Sequence, residues 1–129
     1  LRAMRPRAKL LSIEINQRLY GLLGRIEDAR LIAHCGGAHE LRKTLSLYGL
    51  PAPDVVISGI PFSTMSRSTG ARILEVISSV LVPGGRFVAY QISKQVEDLS
   101  RPLFGPAHVV VELLNIPPVR LYRWEKQAA

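Results

Sequence analysis

An alternation runs through this chain, and it leaves few folds open: short apolar runs rich in β-branched residues are separated by segments with helical spacing. Residues 9–14 (KLLSIE) form an apolar run closing on an acid, and Asn16 then stands at an N-cap position before Leu19, Leu22, Leu23 and Ile26. Residues 30–35 (RLIAHC) repeat the unit. They are stopped by Gly36-Gly37 and followed by Leu41, Leu45 and Tyr48 at helical spacing, until Gly49 and Pro51 end the pattern. Residues 54–58 (DVVIS), between Pro53 and Gly59, read as a buried strand that opens into a loop over residues 59–66. Residues 67–81 place Ile73, Leu74, Ile77, Val80 and Leu81 on one helical face, and Pro83-Gly84-Gly85 leads into a strand over residues 86–92. Strands that alternate with helices are joined by crossovers, which builds a mainly parallel sheet. After a polar segment with Pro102, Gly105 and Pro106, residues 109–114 and 119–124 flank Asn115-Ile116-Pro117-Pro118 closely enough to pair as an antiparallel hairpin.

The expectation is an α/β fold in one piece of a single domain over residues 1–129, without repeats or linkers. With 47% apolar and 21% charged residues the chain has the material for a packed core and is not a disordered polyelectrolyte. No stretch reaches the roughly 18 apolar residues of a membrane span. The run over residues 10–15 is broken by Ser12 and Glu14, which excludes a secretory signal there. Cys35 is the only cysteine, so no internal disulfide forms, and a reducing, cytoplasmic setting is expected. The net charge of +7 is concentrated at the start, where Arg2, Arg5, Arg7 and Lys9 suit either an anionic membrane surface, at about 1 kcal/mol per charge, or nucleic-acid phosphate.

In open α/β sheets ligands bind beyond the carboxyl ends of the strands, which directs attention to Glu14, residues 36–39, residues 58–62 and residues 90–93. An acid closing an apolar strand, as Glu14 does, accepts hydrogen bonds from two ribose hydroxyls in nucleotide-binding domains. The glycine loop that accompanies such an acid lies about 20 residues upstream, and only 13 residues precede Glu14. The first strand and its loop are therefore expected to lie before Leu1. Gly36-Gly37 permit close backbone approach to a flat ligand. Ser58-Gly59-Ile60-Pro61-Phe62 offers a rigid wall with backbone carbonyls for a bound amine. His34, His39 and His108 have no ligand-like spacing with Cys35, so no metal is expected. Ser12, Ser58 and Ser63 lack the G-x-S-x-G context of a hydrolase.

LLSIEIN, CGGAHEL, PDVVISGIPFS, LVPGGRFVAYQIS and VELLNIPPVRLYRW, in that order, resemble the class I S-adenosylmethionine-dependent methyltransferases. The nearest resemblance is to bacterial phospholipid N-methyltransferases, which are similar to ribosomal RNA adenine dimethyltransferases. It covers nearly the whole chain, but only the family domain from its second strand onward. The resemblance implies a Rossmann-like, seven-stranded sheet with helices on both faces and an antiparallel last strand, here lacking its first strand and helix. That absent strand would lie centrally, beside the strands of residues 9–14 and 54–58, leaving two backbone ladders open. Glu14 and Ile15 would hold the ribose end of S-adenosylmethionine, the backbone around Gly37 and Ala38 would meet the adenine, and Ser58 would border the cofactor. Ser58, Gly59, Ile60, Pro61 and Phe62 would form the methyl-acceptor site. Two positions depart from the pattern. Gly37 stands where an acid often recognises the adenine amine, leaving backbone or His39 to do so. Gly59-Ile60-Pro61-Phe62 stands where adenine dimethyltransferases have Asn-Leu-Pro-Tyr, which removes a side-chain acceptor.

Methyl transfer from a sulfonium is an in-line displacement that depends on holding the nucleophile at near-attack distance, without a covalent nucleophile on the protein. An ethanolamine headgroup must first lose a proton, which desolvation and loop carbonyls favour. Tyr90 is a candidate orienting hydroxyl or a plain sheet aromatic. The leading expectation is an N-methyltransferase acting on a phospholipid amine, peripheral to the inner membrane face. An RNA adenine methyltransferase comes second, since aromatic residues for base stacking are scarce at 6%. An inactive fragment without the glycine loop is third.

Overall fold

A computed structural model describes residues 1–128, and within it the chain forms two compact units, Leu1–Tyr48 and the remainder from Gly49 onward. The first unit contains β1 (Leu10–Glu14), α1 (Gln17–Leu23), β2 (Leu31–Cys35), a 3-10 turn at Ala38–Glu40 and α2 (Leu41–Leu47). β1 and β2 run parallel in register, from Leu10 opposite Leu31 to Glu14 opposite Cys35. Asn16 caps α1 as its position suggested: its side-chain oxygen accepts from the Arg18 and Leu19 amides at 2.9 and 3.2 Å. The helix stops at Leu23, short of Ile26, and buries none of its residues, with Leu19 and Leu22 about half exposed. Only Gly37, Thr44 and Leu45 are buried in this unit.

The second unit holds β3 (Val55–Ser58), a 3-10 turn at Phe62–Thr64, α3 (Arg67–Val80), β4 (Arg86–Gln91), α4 (Gln95–Phe104), β5 (His108–Glu112) and β6 (Val119–Glu125). Its sheet has the order β3-β4-β6-β5, with β3 parallel to β4 and the last two pairings antiparallel. The closing hairpin is therefore present. Between β3 and β4, α3 begins at the Ser66 cap, whose hydroxyl accepts from the Thr69 amide, and buries Ile73, Leu74, Ile77 and Val80. The exit turn needs glycine at Gly85, where a Cβ would lie 2.8 Å from the Val82 carbonyl oxygen.

The core of this unit follows from strand alternation. Phe87 and Ala89 on β4 and Tyr122 and Trp124 on β6 point to one face and are buried. Trp124 stacks between Phe87 and Tyr122, with ring centroids 5.1 and 5.7 Å away. α4 closes over them through Phe104. The opposite face presents Val55, Ile57 and Tyr90 to solvent.

α4 lies where the sequence suggested a polar connection. Pro102 concealed it, yet the residue sits in the last turn, where only the Asp98 carbonyl loses a partner. Val96, Leu99, Leu103 and Phe104 carry the helical period, and the Gly105 amide closes the helix on the Arg101 carbonyl.

Among the described residues β1 pairs only with β2, and β3 only with β4. One side of each strand's ladder is open among the described residues. No helix among them is long and apolar enough to cross a membrane.

Candidate active site

In the first unit the expected cofactor residues gather at the carboxyl ends of the two paired strands. The chain leaves β2 with the Gly36 amide donating to the Glu14 carbonyl at 3.2 Å, which ties the two strand ends together. The Glu14 carboxylate folds back over its own turn, and Oε1 accepts the Asn16 amide at 2.8 Å. Its second oxygen has no hydrogen-bond partner among the described residues. One oxygen orients the group while the other is open to a ligand. Ile15 beside it is 76% exposed, a large aliphatic side chain without packing partners.

Glycine at position 36 has a steric cause. A Cβ there would fall 2.8 Å from His34 Nε2. The His34 ring cannot easily give way, because its Nδ1 lies 3.1 Å from the Tyr48 hydroxyl and the two rings meet edge to face at 5.6 Å. Gly37 is buried and Ala38 half-buried; the Gly37 carbonyl accepts the Glu40 amide at 3.1 Å, starting the 3-10 turn. His39 is exposed, and its ring lies over Gly37, where an added Cβ would meet Cε1 at 2.5 Å. Backbone at Gly37 and Ala38 and an imidazole above it are thus what this junction offers a flat ligand.

The groups of the first unit fit S-adenosylmethionine in their chemistry. A carboxylate with one anchored and one open oxygen suits a ribose diol. A small-residue strand end, kept small by a fixed imidazole, suits an adenine edge. Among the described residues no three His, Cys, Asp or Glu side chains come close enough to hold a metal ion.

In the second unit the loop expected to receive the methyl acceptor is organised by two side chains. Ser58, buried at the end of β3, accepts the Ile60 amide on its hydroxyl at 3.2 Å. Gln91, buried at the end of β4, donates through Nε2 to the Ile60 carbonyl and to the Tyr90 carbonyl, both at 2.6 Å. The Ile60 carbonyl also takes the Phe62 amide, and the Pro61 carbonyl takes both the amide and the hydroxyl of Thr64. Two of the carbonyls expected to face an amine are thereby consumed inside the loop. The Gly59 carbonyl, on an exposed residue, has no partner among the described residues. Phe62 is completely buried, so its ring supports the loop from within and is not a stacking surface. Tyr90 is 53% exposed on the open sheet face.

Gln91 is the organising residue that sequence reasoning passed over. Its signal was present: in the strand Arg86–Gln91, Phe87, Ala89 and Gln91 share the inward phase. A polar side chain ending an inward apolar row must find partners there.

No protein-family model matches this sequence, and no curated protein matches it. Solved structures do. A methyltransferase from Pyrococcus furiosus superposes with a TM-score of 0.66 at 16% identity, over 92% of this chain and 63% of that one. An rRNA methylase from Streptococcus thermophilus gives 0.67 at 17% identity, over 92% and 74%. The Methanococcus jannaschii fibrillarin, a pre-rRNA processing protein, gives 0.66 at 15% identity, over 94% and 57%. The chain thus spans less than two thirds of the Pyrococcus protein and of fibrillarin. The element order, the closing antiparallel hairpin and these superpositions together give the chain the Rossmann-like fold of the methyltransferases.

Proposed function

We propose that the chain belongs to an S-adenosylmethionine-dependent methyltransferase whose substrate is RNA. The observation that carries the reading is the Glu14 carboxylate, closing β1 with one oxygen anchored on Asn16 and one left open. When bound, S-adenosylmethionine supplies an electrophilic methyl group on a sulfonium. Glu14 would accept the ribose hydroxyls, Ile15 would cover the adenosine, and the backbone of Gly37 and Ala38 would meet the adenine. Ser58 and Gln91 hold the loop rigid, and the Gly59 carbonyl accepts an N–H of the incoming amine. Positioning, not covalent chemistry, is the protein's contribution.

The choice of RNA over a phospholipid rests on protonation. Residues 58–66 (SGIPFSTMS) contain no titratable side chain. An ethanolamine ammonium must surrender a proton before it can attack, and this loop supplies no base. The exocyclic amine of a nucleobase is neutral in water, so it attacks without prior deprotonation, and the proton it sheds after methyl transfer passes to solvent. The rRNA methylase and the pre-rRNA processing protein of the same fold support the same substrate class. The loss of the Asn side chain at Gly59 is met by that residue's free carbonyl.

The test supplies the protein with methyl-labelled S-adenosylmethionine and a mixture of RNA and phosphatidylethanolamine liposomes. Label is expected in RNA and lost in Glu14→Ala. Label in lipid would restore the phospholipid reading. Absence of both labelling and cofactor binding would overturn the methyltransferase reading itself.

A further inference from the structure

The cationic segment before β1 takes no part in the site described above, and the structure gives it a definite place. Arg30, at the entry to β2, donates to the Leu1 carbonyl through one terminal nitrogen and to the Met4 carbonyl through the other, both at 3.2 Å. It is held by Asp28, which receives its Nε at 3.0 Å and a terminal nitrogen at 2.6 Å. Lys9 Nζ reaches the Ala29 carbonyl at 3.3 Å. The segment is therefore latched to the amino ends of the two paired strands, the end opposite Glu14 and Gly37.

Arg2, Arg5, Arg7 and Lys9 are exposed there, joined by Arg25 from the connection that follows α1. None of the five is in a salt bridge among the described residues. Of the acids near them, Asp28 is committed to Arg30, leaving Glu27 alone. We propose that this arm is an RNA phosphate-binding surface, with Arg30 as its latch. The identity of the polyanion rests on the reading of the chain as an RNA methyltransferase.

Geometry favours a polymer over a membrane. Five residues of strand at ~3.3 Å each separate the arm from Glu14 by about 16 Å. RNA carries a phosphate at every nucleotide, so one continuous strand reaches from the arm to the Glu14 end. A bilayer docked on the arm would leave the Glu14 end facing away from its headgroups by the same distance. Four of the five cations are arginines, whose forked guanidinium matches phosphate oxygens in pairs.

The experiment measures binding of a fluorescent RNA hairpin to the full chain across a salt series, without cofactor, beside vesicles of phosphatidylglycerol. The variant Arg2→Gln/Arg5→Gln/Arg7→Gln should bind RNA more weakly, and its slope of log affinity against log salt should be shallower by about 2.7, from three phosphate contacts at ~0.9 each. Arg30→Gln should weaken binding while leaving all five arm cations in place. Unchanged affinity and slope in the triple variant would overturn the proposal, as would arm-dependent binding to vesicles alone. Arm-dependent RNA binding without methyl label in RNA would sink the enzymatic reading and leave the arm standing. Methyl label in RNA that is indifferent to the arm would do the reverse.

Discussion

The two units differ in how they hold themselves together. Of thirteen buried apolar residues among those described, twelve lie from Gly49 onward, and Leu45 is the first unit's single contribution. Parallel strands are normally covered on both faces, yet most of β1 and β2 is only half-buried. The residues read here as cofactor contacts ride on the thinly buried unit, while the acceptor loop is built on the dense one. On the proposed reading, cofactor binding falls where local opening costs least, and positioning of the acceptor falls where the core is rigid.

The sharpest way to break this contrast is at Trp124. Truncation to Ala should cost the second unit ~3–5 kcal/mol in denaturant unfolding. Amide exchange should show β4 and β6 protected far longer than β1 and β2. Equal protection in both sheets would erase the distinction.

Glu14→Gln should weaken S-adenosylmethionine binding by roughly ten- to a hundredfold, the scale of charge-assisted hydrogen bonds at about 1.5–3 kcal/mol. The unfolding of β4 and β6 should not move, and calorimetry beside a melting curve reads both. Gln91→Leu leaves the Ile60 and Tyr90 carbonyls without their side-chain donor in a buried setting, at about 1–3 kcal/mol of stability. Its kinetic signature should be a lowered kcat with cofactor affinity retained, because the loop moves and Glu14 does not.

The smallest effect concerns the latch. The Arg30 guanidinium, hydrogen-bonded to Asp28, holds that carboxyl down to about 2 from the ordinary 3.8. A depressed carboxyl stabilises the folded form above its ordinary value and loses that contribution as pH falls through the folded one. Amide resonances of residues 1–4 should therefore stay put down to pH 3.8 and shift between there and about 2. Release at higher pH would show that Arg30 does not hold the arm through Asp28.

Much of this was legible because periodicity is local. The strands, the Asn16 cap and the closing hairpin follow from runs, breakers and topology. α4 was hidden by Pro102, since a breaker's cost depends on where in a helix it sits. Gln91 and the filled carbonyls of Ile60 and Pro61 were out of reach for another reason. Whether a backbone oxygen faces a ligand or a neighbouring side chain is decided by residues 31 positions apart, and no window along the chain spans that. α1 shows the opposite failure: its apolar period is real, but none of its residues is buried.

The sheet order β3-β4-β6-β5 has a practical meaning for anyone concentrating this protein. On β5, Val110 is 51% exposed and the strand's outer ladder has no partner among the described residues. Such a margin is a template for pairing with another strand, and the charge of +7 opposes the approach of a second copy. A lysine in place of Val110 would act as a stopper for that pairing.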